Sequence, residues 1–581
     1  MEREDILFKP IDRPGRKFYI VAGIMSMVVI WAFYAYITEL RNGLGVTGLN
    51  RPVFWGFYIT NFVFFIGISH AGTLISAVLR ITNAEWRKSI TRSAEVITVL
   101  VLGIGVMNIL MDLGRPDRVL NIIKYGRFQS PLVWDLISIT TYLTASIIYL
   151  YLPLIPDIAL LRDRVKDEPR KWFYNILSIG WKGTEEQQRI LNGAIAIMAI
   201  LVIPIAVSVH TVVSYVFAMT IQPMWHSAIF GPYFVVGAIF SGIAAIIIIM
   251  AIIRKVYHLE DYLRPVHFKN LGILLFVMAC LWLYFTLNEY LTTFYAAEPV
   301  QMKVFYSKFT GRYAHLFWLM VITCFVIPAI LLVNKRTRTI SGMVAASISI
   351  TIGMWLERFI IIVPSLANPR LPYERGIYFP TWVEWSLMAG CFALFALMYM
   401  VFTKLFPIVS VWEVREARET GLKEIRERVK EYLPGMEVLA KNIMSKEVIA
   451  VTPETTVEEI GRLLASHRIS GVPVIDADKR VIGVVSESDV IFREIRHEFT
   501  LVERLGNIIL PELRREGERS GNTAGEIMTS PAITAEEETS LTELMEIIRE
   551  KKIKRIVIVD KVGRLAGIVS RIDIVKAIER I

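Results

Sequence analysis

The chain has 581 residues, 54% hydrophobic and 20% charged, with a formal net charge of +10. Its mean hydropathy of +0.49 is higher than a water-facing globular surface tolerates and points to a lipid bilayer. The 64 Lys and Arg lie mainly in short connections between apolar runs, which argues for membrane topology and against a nucleic-acid partner. Cys280, Cys324 and Cys391 stand singly inside apolar runs, so neither a disulfide framework nor a four-thiolate iron–sulfur cluster can be assembled, and no metal site is expected. Glu2, Glu4 and Asp5 open the chain without a small-residue cleavage site, so the first span is expected to be retained.

Runs of about twenty apolar residues, the length that crosses ~30 Å of hydrocarbon as a helix, fall near 18–39, 54–79, 93–112, 132–155, 191–219, 229–253, 270–293, 313–333, 339–363 and 383–406. Ten transmembrane helices are therefore expected. Connections on the side of the N-terminus hold 23 Lys and Arg against 11 opposite, which places both termini in the cytoplasm. Trp55, Trp134, Trp225, Trp282 and Trp382 lie near the expected span ends and read as interfacial belts.

After the last span the composition turns abruptly charged. Trp412 to Lys430 has a helical rhythm of mixed charge, ending near Pro434-Gly435, and reads as a linker helix. Residues 443–491 then align without a gap on 527–575, at a constant offset of 84. Ile443-Met444 matches Ile527-Met528, Asp476 matches Asp560, and Gly483-x-x-Ser486-x-x-Asp489 matches Gly567-x-x-Ser570-x-x-Asp573. Each copy predicts a β-α-β-β-α unit, with helices over Val457–Ser466 and Leu541–Glu550.

This repeat resembles a pair of CBS domains, modules that bind adenosine nucleotides between copies. The fold class expected is thus an all-α polytopic membrane bundle, N-in and C-in, plus an α/β cytoplasmic tandem CBS pair. The expected boundaries are 1–407 for the membrane domain, 408–438 for the linker, 439–497 and 523–581 for the repeats, and 498–522 between them. By resemblance, Ser486, Asp489, Ser570 and Asp573 would bind AMP, ADP or ATP, the acid taking ribose hydroxyls and the hydroxyl the phosphate. The same residues also suit plain capping of the closing helices. Such pairs commonly dimerise.

Ionisable groups inside spans are costly and mark function by default. Here they are His70, Glu95, Asp112, Asp135, His210, Glu289, His315, Glu357-Arg358 and Glu384, joined by Arg115 and His226 on short loops. On the expected topology Asp112, Asp135, His210, Glu289, His315 and Glu384 fall toward the outer face, while His70 and Glu95 lie deeper. Carboxylates and imidazoles grouped there suit proton exchange with a quinone or quinol, with a deeper proton relay of His70, Glu95, Glu357 and Arg358. Bland readings stand beside these: His70 among Gly67, Ala71 and Gly72 as a helix-packing contact, Glu357-Arg358 as an ion pair fixing register, Arg115 as a turn residue, and His210 with His226 as haem ligands.

The segments Gly67-Ile-Ser-His70-Ala-Gly-Thr, Leu113-Gly-Arg-Pro116, Ser130-Pro-Leu-Val-Trp-Asp135, Ser208-Val-His210-Thr-Val-Val-Ser214, Pro223-Met-Trp-His226 and Gly353-Met-Trp-Leu-Glu357-Arg-Phe359 resemble the NrfD-like family. These are quinone-reactive membrane subunits of polysulfide-reductase-type complexes, and the likeness extends to the membrane subunits of alternative complex III. The resemblance implies a subunit of the prokaryotic cytoplasmic (inner) membrane without haem or metal. It would exchange electrons between a quinone, menaquinone or similar, and an iron–sulfur subunit at the outer face, itself serving a molybdopterin-type catalytic subunit. The isolated chain would not be catalytic by itself. Carried over by motif, the quinone pocket involves Asp112, Asp135 and His210, with Arg115 and His226 as further pocket candidates. Two positions depart from the family pattern: Asp112 stands where His often precedes Leu-Gly-Arg-Pro, and Val216 stands where an acid often follows the Ser-Val-His motif. The rival reading is an ion channel or transporter gated by the CBS pair.

Overall fold

Backbone amides in hydrocarbon must find partners within their own segment, and the apolar runs accordingly form helices in the computed structural model. It describes residues 7–8, 10–11, 15–82, 84–371, 376–415, 439–467, 469–487, 489–490, 521–551 and 553–579. The chain divides into two compact units, Met1–Glu416 and Ala417–Ile581. Ten helices are long and apolar enough to cross a membrane, matching the ten expected spans. They are α1 (Arg16–Asn42), α2 (Phe57–Ile81), α3 (Thr91–Asp112), α4 (Pro131–Arg164), α6 (Glu185–Ala218), α7 (Phe230–Val256), α8 (Pro265–Ala296), α10 (Ala314–Val333), α11 (Ile340–Ala367) and α12 (Trp382–Leu405). Two shorter helices, α5 (Glu168–Leu177) and α9 (Pro299–Phe309), lie in connections. Successive spans alternate in direction, so the bundle has a tail end, where α12 finishes, and an opposite, distal end.

The most enclosed span is α2, with 83% of its apolar stretch buried against 11% for α1, so the functional candidates on α2 face protein rather than lipid. Small residues permit this enclosure. A Cβ at Gly72 would collide with the Ala94 carbonyl of α3, and one at Gly242 of α7 with Ala71. Thr98 Oγ1 of α3 donates to the Ser69 carbonyl of α2 at 2.7 Å, a polar tie where backbones approach closely. In α10 a π-turn spans Ile322–Val326, followed by Pro328, which has no N–H to give. The Thr323 carbonyl accepts from Ser349 Oγ of α11 at 2.8 Å instead.

In the C-terminal unit, α13 (Val457–His467) precedes the antiparallel hairpin of β1 (Gly471–Ile475) and β2 (Val481–Ser486). The second copy runs β3 (Thr534–Glu536), α14 (Leu541–Glu550), β4 (Arg555–Val559), β5 (Leu565–Ser570) and α15 (Arg571–Glu579), with β3 parallel and β5 antiparallel to β4. The offset of 84 holds in backbone detail. The ladder irregularities at Val474/Ile475 and Ile558/Val559 correspond, and both turns place a positive φ at the same point, on Lys479 in one copy and Gly563 in the other. Asp476 and Asp560 each accept backbone N–H groups two and four residues on, which explains an Asp at the head of each turn. The expected linker helix lies outside the described residues beyond Arg415, as does 498–520 of the expected inter-repeat linker.

Gly72→Ala should force α2 from α3 and lower stability by ~1–3 kcal/mol, read as a fall in the thermal midpoint of the detergent-purified protein.

Candidate functional site

The bundle interior holds three polar groupings at different depths. In the middle, His70 of α2 and His210 of α6 are buried with ring centroids 4.2 Å apart. None of their four ring nitrogens has a partner at hydrogen-bond geometry; the Ala206 and Ile66 carbonyls lie near His210 without meeting it. The Tyr142 ring of α4 stands 6.4 Å from His70. Arg358 of α11 is close enough to act electrostatically on His210, and its guanidinium lies 4.7 Å over the Phe234 ring in space left by Gly237, where a Cβ would meet Nη2 at 2.8 Å. Arg358 Nη1 approaches Glu357 Oε2 to 2.8 Å, but without hydrogen-bond alignment. The other Glu357 oxygen accepts from Trp282 Nε1 at 2.7 Å. The structure thus joins His70, His210, Arg358 and Glu357 in one buried polar core. Imidazoles this close leave no room for a porphyrin between them.

At the distal end, Asp112 closes α3, and its Oδ1 is buried without a partner. It lies within electrostatic range of Glu39, near the end of α1, and of Glu384 in the first turn of α12. Tyr58 Oη donates to Glu39 Oε2 at 2.5 Å, and Glu39 Oε1 is unpartnered. Glu384 is well supplied: its carboxylate accepts from Tyr378 Oη, from Gly48 N at 2.7 Å and from Thr381 N at 2.9 Å. That pattern is a capping box that also ties down the 43–48 loop. Asp135, in the first turns of α4, is 6% exposed with Oδ1 unpartnered. Among the described residues no hydrogen bond or ion pair joins Asp135 to Asp112 or to His210. Glu289 of α8 accepts from Ser227 Oγ at 2.7 Å and has buried Lys308 of α9 within electrostatic range. Arg115 is exposed and pairs with Asp117 at 3.2 Å; His226 and His315 are exposed.

At the tail end, Glu95, in the second turn of α3, accepts from Ser76 Oγ at 2.5 Å, and Ser76 Oγ lies 3.2 Å from Tyr149 Oη. Ser76 is six residues from His70, a rise of roughly 9 Å. Buried Arg92 of α3 pairs with Asp157 of α4 and donates to the Pro153 carbonyl at 2.7 Å. Asp157 also accepts the Val411 and Trp412 amides at 3.1 and 3.0 Å. Glu413 sits between Arg80 at 2.8 Å and Arg87 at 3.3 Å. Burial alone would raise the Glu413 carboxyl, but Arg80, Arg87 and Arg92 outweigh it and hold it below the ordinary glutamate range.

Trp225 and Trp282 correct the interfacial reading. Both are buried, Trp225 donating to the Ile361 carbonyl at 2.7 Å and Trp282 to Glu357; Trp282 stands mid-helix in α8, away from either end. Glu39, Arg80, Arg92, Asp157 and Glu413 escaped the sequence reading. They stand at span ends, where charges read as topology signals, and only tertiary pairing shows them buried.

In the C-terminal unit both signature acids cap their own turn. Asp489 Oδ2 accepts from Ser486 N and Oγ at 2.8 and 2.7 Å, and Asp573 Oδ2 from Ser570 N and Oγ at 2.8 and 2.6 Å. The second carboxylate oxygen of each takes no part in this capping.

Ten spans with polar groups turned inward, followed by two copies of a helix and antiparallel hairpin, define a multi-pass membrane protein with a paired C-terminal module. The chain belongs to the polysulphide reductase NrfD family, whose model matches residues 45–369, and it carries a CBS pair, matched at 440–495 and 524–580. It is 24% identical over 408 residues to a subunit of the selenate reductase of Mesobacillus selenatarsenatis, covering 67% of this chain and 93% of that protein. It is 25% identical over 434 residues to the Hdr-like menaquinol oxidoreductase integral membrane subunit of Archaeoglobus fulgidus, covering 71% and 99%. Similarity to the menaquinone reductase integral membrane subunit of Nitratidesulfovibrio vulgaris is 24% over 415 residues, covering 68% and 92%.

Removing one member of a buried ion pair strands the other. Asp157→Leu should cost ~3–5 kcal/mol and lower the thermal midpoint, whereas Arg115→Leu, at an exposed pair, should leave it within ~1 kcal/mol of wild type.

Proposed function

We propose that the chain is the quinone-reactive membrane subunit of an oxidoreductase complex in a prokaryotic cytoplasmic membrane, with both termini and the CBS pair in the cytoplasm. It exchanges electrons between a membrane quinone, menaquinone or a close relative, and an iron–sulfur partner at the distal face, which in turn serves a molybdopterin-type catalytic subunit. The carrying observation is the set of buried, unpartnered acceptors and imidazoles that runs from the distal end to the middle of the bundle: Asp112 Oδ1, Asp135 Oδ1 and the nitrogens of His210 and His70. Orphaned polar atoms are costly in hydrocarbon, and a quinone head, with two oxygens that alternate between carbonyl and hydroxyl, matches their chemistry. The names of the relatives support the same substrate: one is a menaquinol oxidoreductase subunit and another a menaquinone reductase subunit.

A quinol gives up two electrons and two protons. In this reading the electrons leave through the partner's iron–sulfur centres, while Asp135 and His210 exchange the protons as base or acid. Asp112 with Glu39 offers a proton route to the distal surface, and Arg358-Glu357 orders the core beside His210. His70 and, toward the tail end, Glu95 extend the buried polar path. The CBS pair binds an adenosine nucleotide through the free oxygens of Asp489 and Asp573, with Ser486 and Ser570 toward the phosphate, and regulates turnover.

Asp135→Asn keeps the shape and removes the titrating oxygen. Quinol-linked turnover of the complex should fall by ~100-fold or more while the partner proteins still co-purify. Retained turnover would remove Asp135 from proton exchange.

A further inference from the structure

We infer that Glu413 is a positioning residue through which the C-terminal tail sets the state of the membrane bundle, its carboxylate acting as a latch between Arg80 and Arg87. The inference rests on the reading of the CBS pair as nucleotide-responsive and names where that response enters the bundle.

The chain leaving α12 is not free on emergence. Ile408, Val409, Ser410, Val411 and Glu413 are all buried within the membrane unit. Arg92 donates to Ser410 Oγ at 3.2 Å, Trp412 Nε1 to the Pro153 carbonyl at 2.8 Å, and Asp157 takes the two amides of Val411 and Trp412. Most of these ties fix backbone or ring and require the segment to be in place. Glu413 differs. Among the described residues it is the last buried acid of the membrane unit, and its side chain is held by ion pairs and hydrogen bonds from two arginines. Its two partners sit on different elements, Arg80 in the last turn of α2 and Arg87 in the turn that leads into α3. A pull on the following chain therefore acts on α2 and α3 together.

These two helices carry His70 and Glu95, and Arg80 borders the Glu95 grouping directly. It lies within electrostatic range of Glu95 and within reach of the Tyr149 hydroxyl, and its Nε is buried with no partner. With Glu413 seated, the terminal nitrogen of Arg80 is engaged away from Glu95. With Glu413 withdrawn, a buried guanidinium without its anion has, among the described residues, Glu95 as the carboxylate within its electrostatic range. The element is thus two-state: Arg80 paired with the tail root or with the inner acid. A tail that favours one seating biases the bundle by the difference in binding, as coupling between sites requires.

The test uses the full-length chain in its purified complex, with AMP and ATP as probes, calorimetry for binding and quinol turnover for response. Wild-type turnover should differ about fivefold or more between the better-bound nucleotide and none. Glu413→Gln should still bind nucleotide yet hold turnover at one of the two wild-type levels whatever is added, and Glu413→Asp should restore part of the response. Arg87→Gln, which removes one cation without stranding an acid, should weaken the response and serves if Glu413→Gln does not assemble. A merely structural role would lower turnover equally with and without nucleotide, and that result overturns the latch, as does a Glu413→Gln complex that responds like wild type. Absence of binding in wild-type calorimetry would instead defeat the nucleotide reading itself, and the latch with it.

Discussion

A polar side chain placed in hydrocarbon must find a partner inside the protein or do work that repays its burial. That constraint sorts the interior of this bundle. Glu384, Asp157 and Glu413 are saturated with donors and hold segments in place: the 43–48 loop at the distal end and the segment 407–413 at the tail end. His70, His210, Asp112 and Asp135 keep atoms without partners. They share α2, α3, α4 and α6, which enclose the distal half around the most buried span. Saturated acids hold both ends, while the unsatisfied groups at the distal end and in the middle leave a chemically open interior.

The spans were legible because hydropathy over twenty residues is a strong signal, and the repeat because an exact offset of 84 leaves little freedom. Even the turns could be anticipated from Asp476 and Asp560. The association of His70 with His210 was not legible. They lie 140 positions apart, and nothing in either motif states that α2 and α6 pack face to face. The same holds for Arg358 beside His210. Arg80, Arg87 and Arg92 show the opposite difficulty: the sequence presents them as inside-positive charges, and all three do stand at that end, yet each serves as a partner for a buried acid. Trp282 reads as an interfacial ring, yet it lies at the centre of both the expected run 270–293 and the helix Pro265–Ala296, where its indole N–H serves buried Glu357.

Family membership and structure carry different parts of the account. The NrfD model covers 45–369, which includes His70, Asp112, Asp135, His210, Glu357 and Arg358 but neither Glu39 nor Glu384 nor the root of the tail. The distal acid grouping is therefore assembled partly from helices outside the matched region, with α1 packed against α12 and α12 against α3. The segment 407–413 that follows α12 is itself packed within the membrane unit.

The central claim is that a quinone head reaches the buried groups between α2, α4 and α6. Photolabelling the purified complex with an azido-quinone, followed by peptide mapping, tests it directly. Labelling should be saturable, should be competed by menaquinone analogues, and should fall on peptides containing Asp135, His210 or His70. Labelling confined to the lipid-facing surface of α1, or unaffected by competitor, would contradict the account.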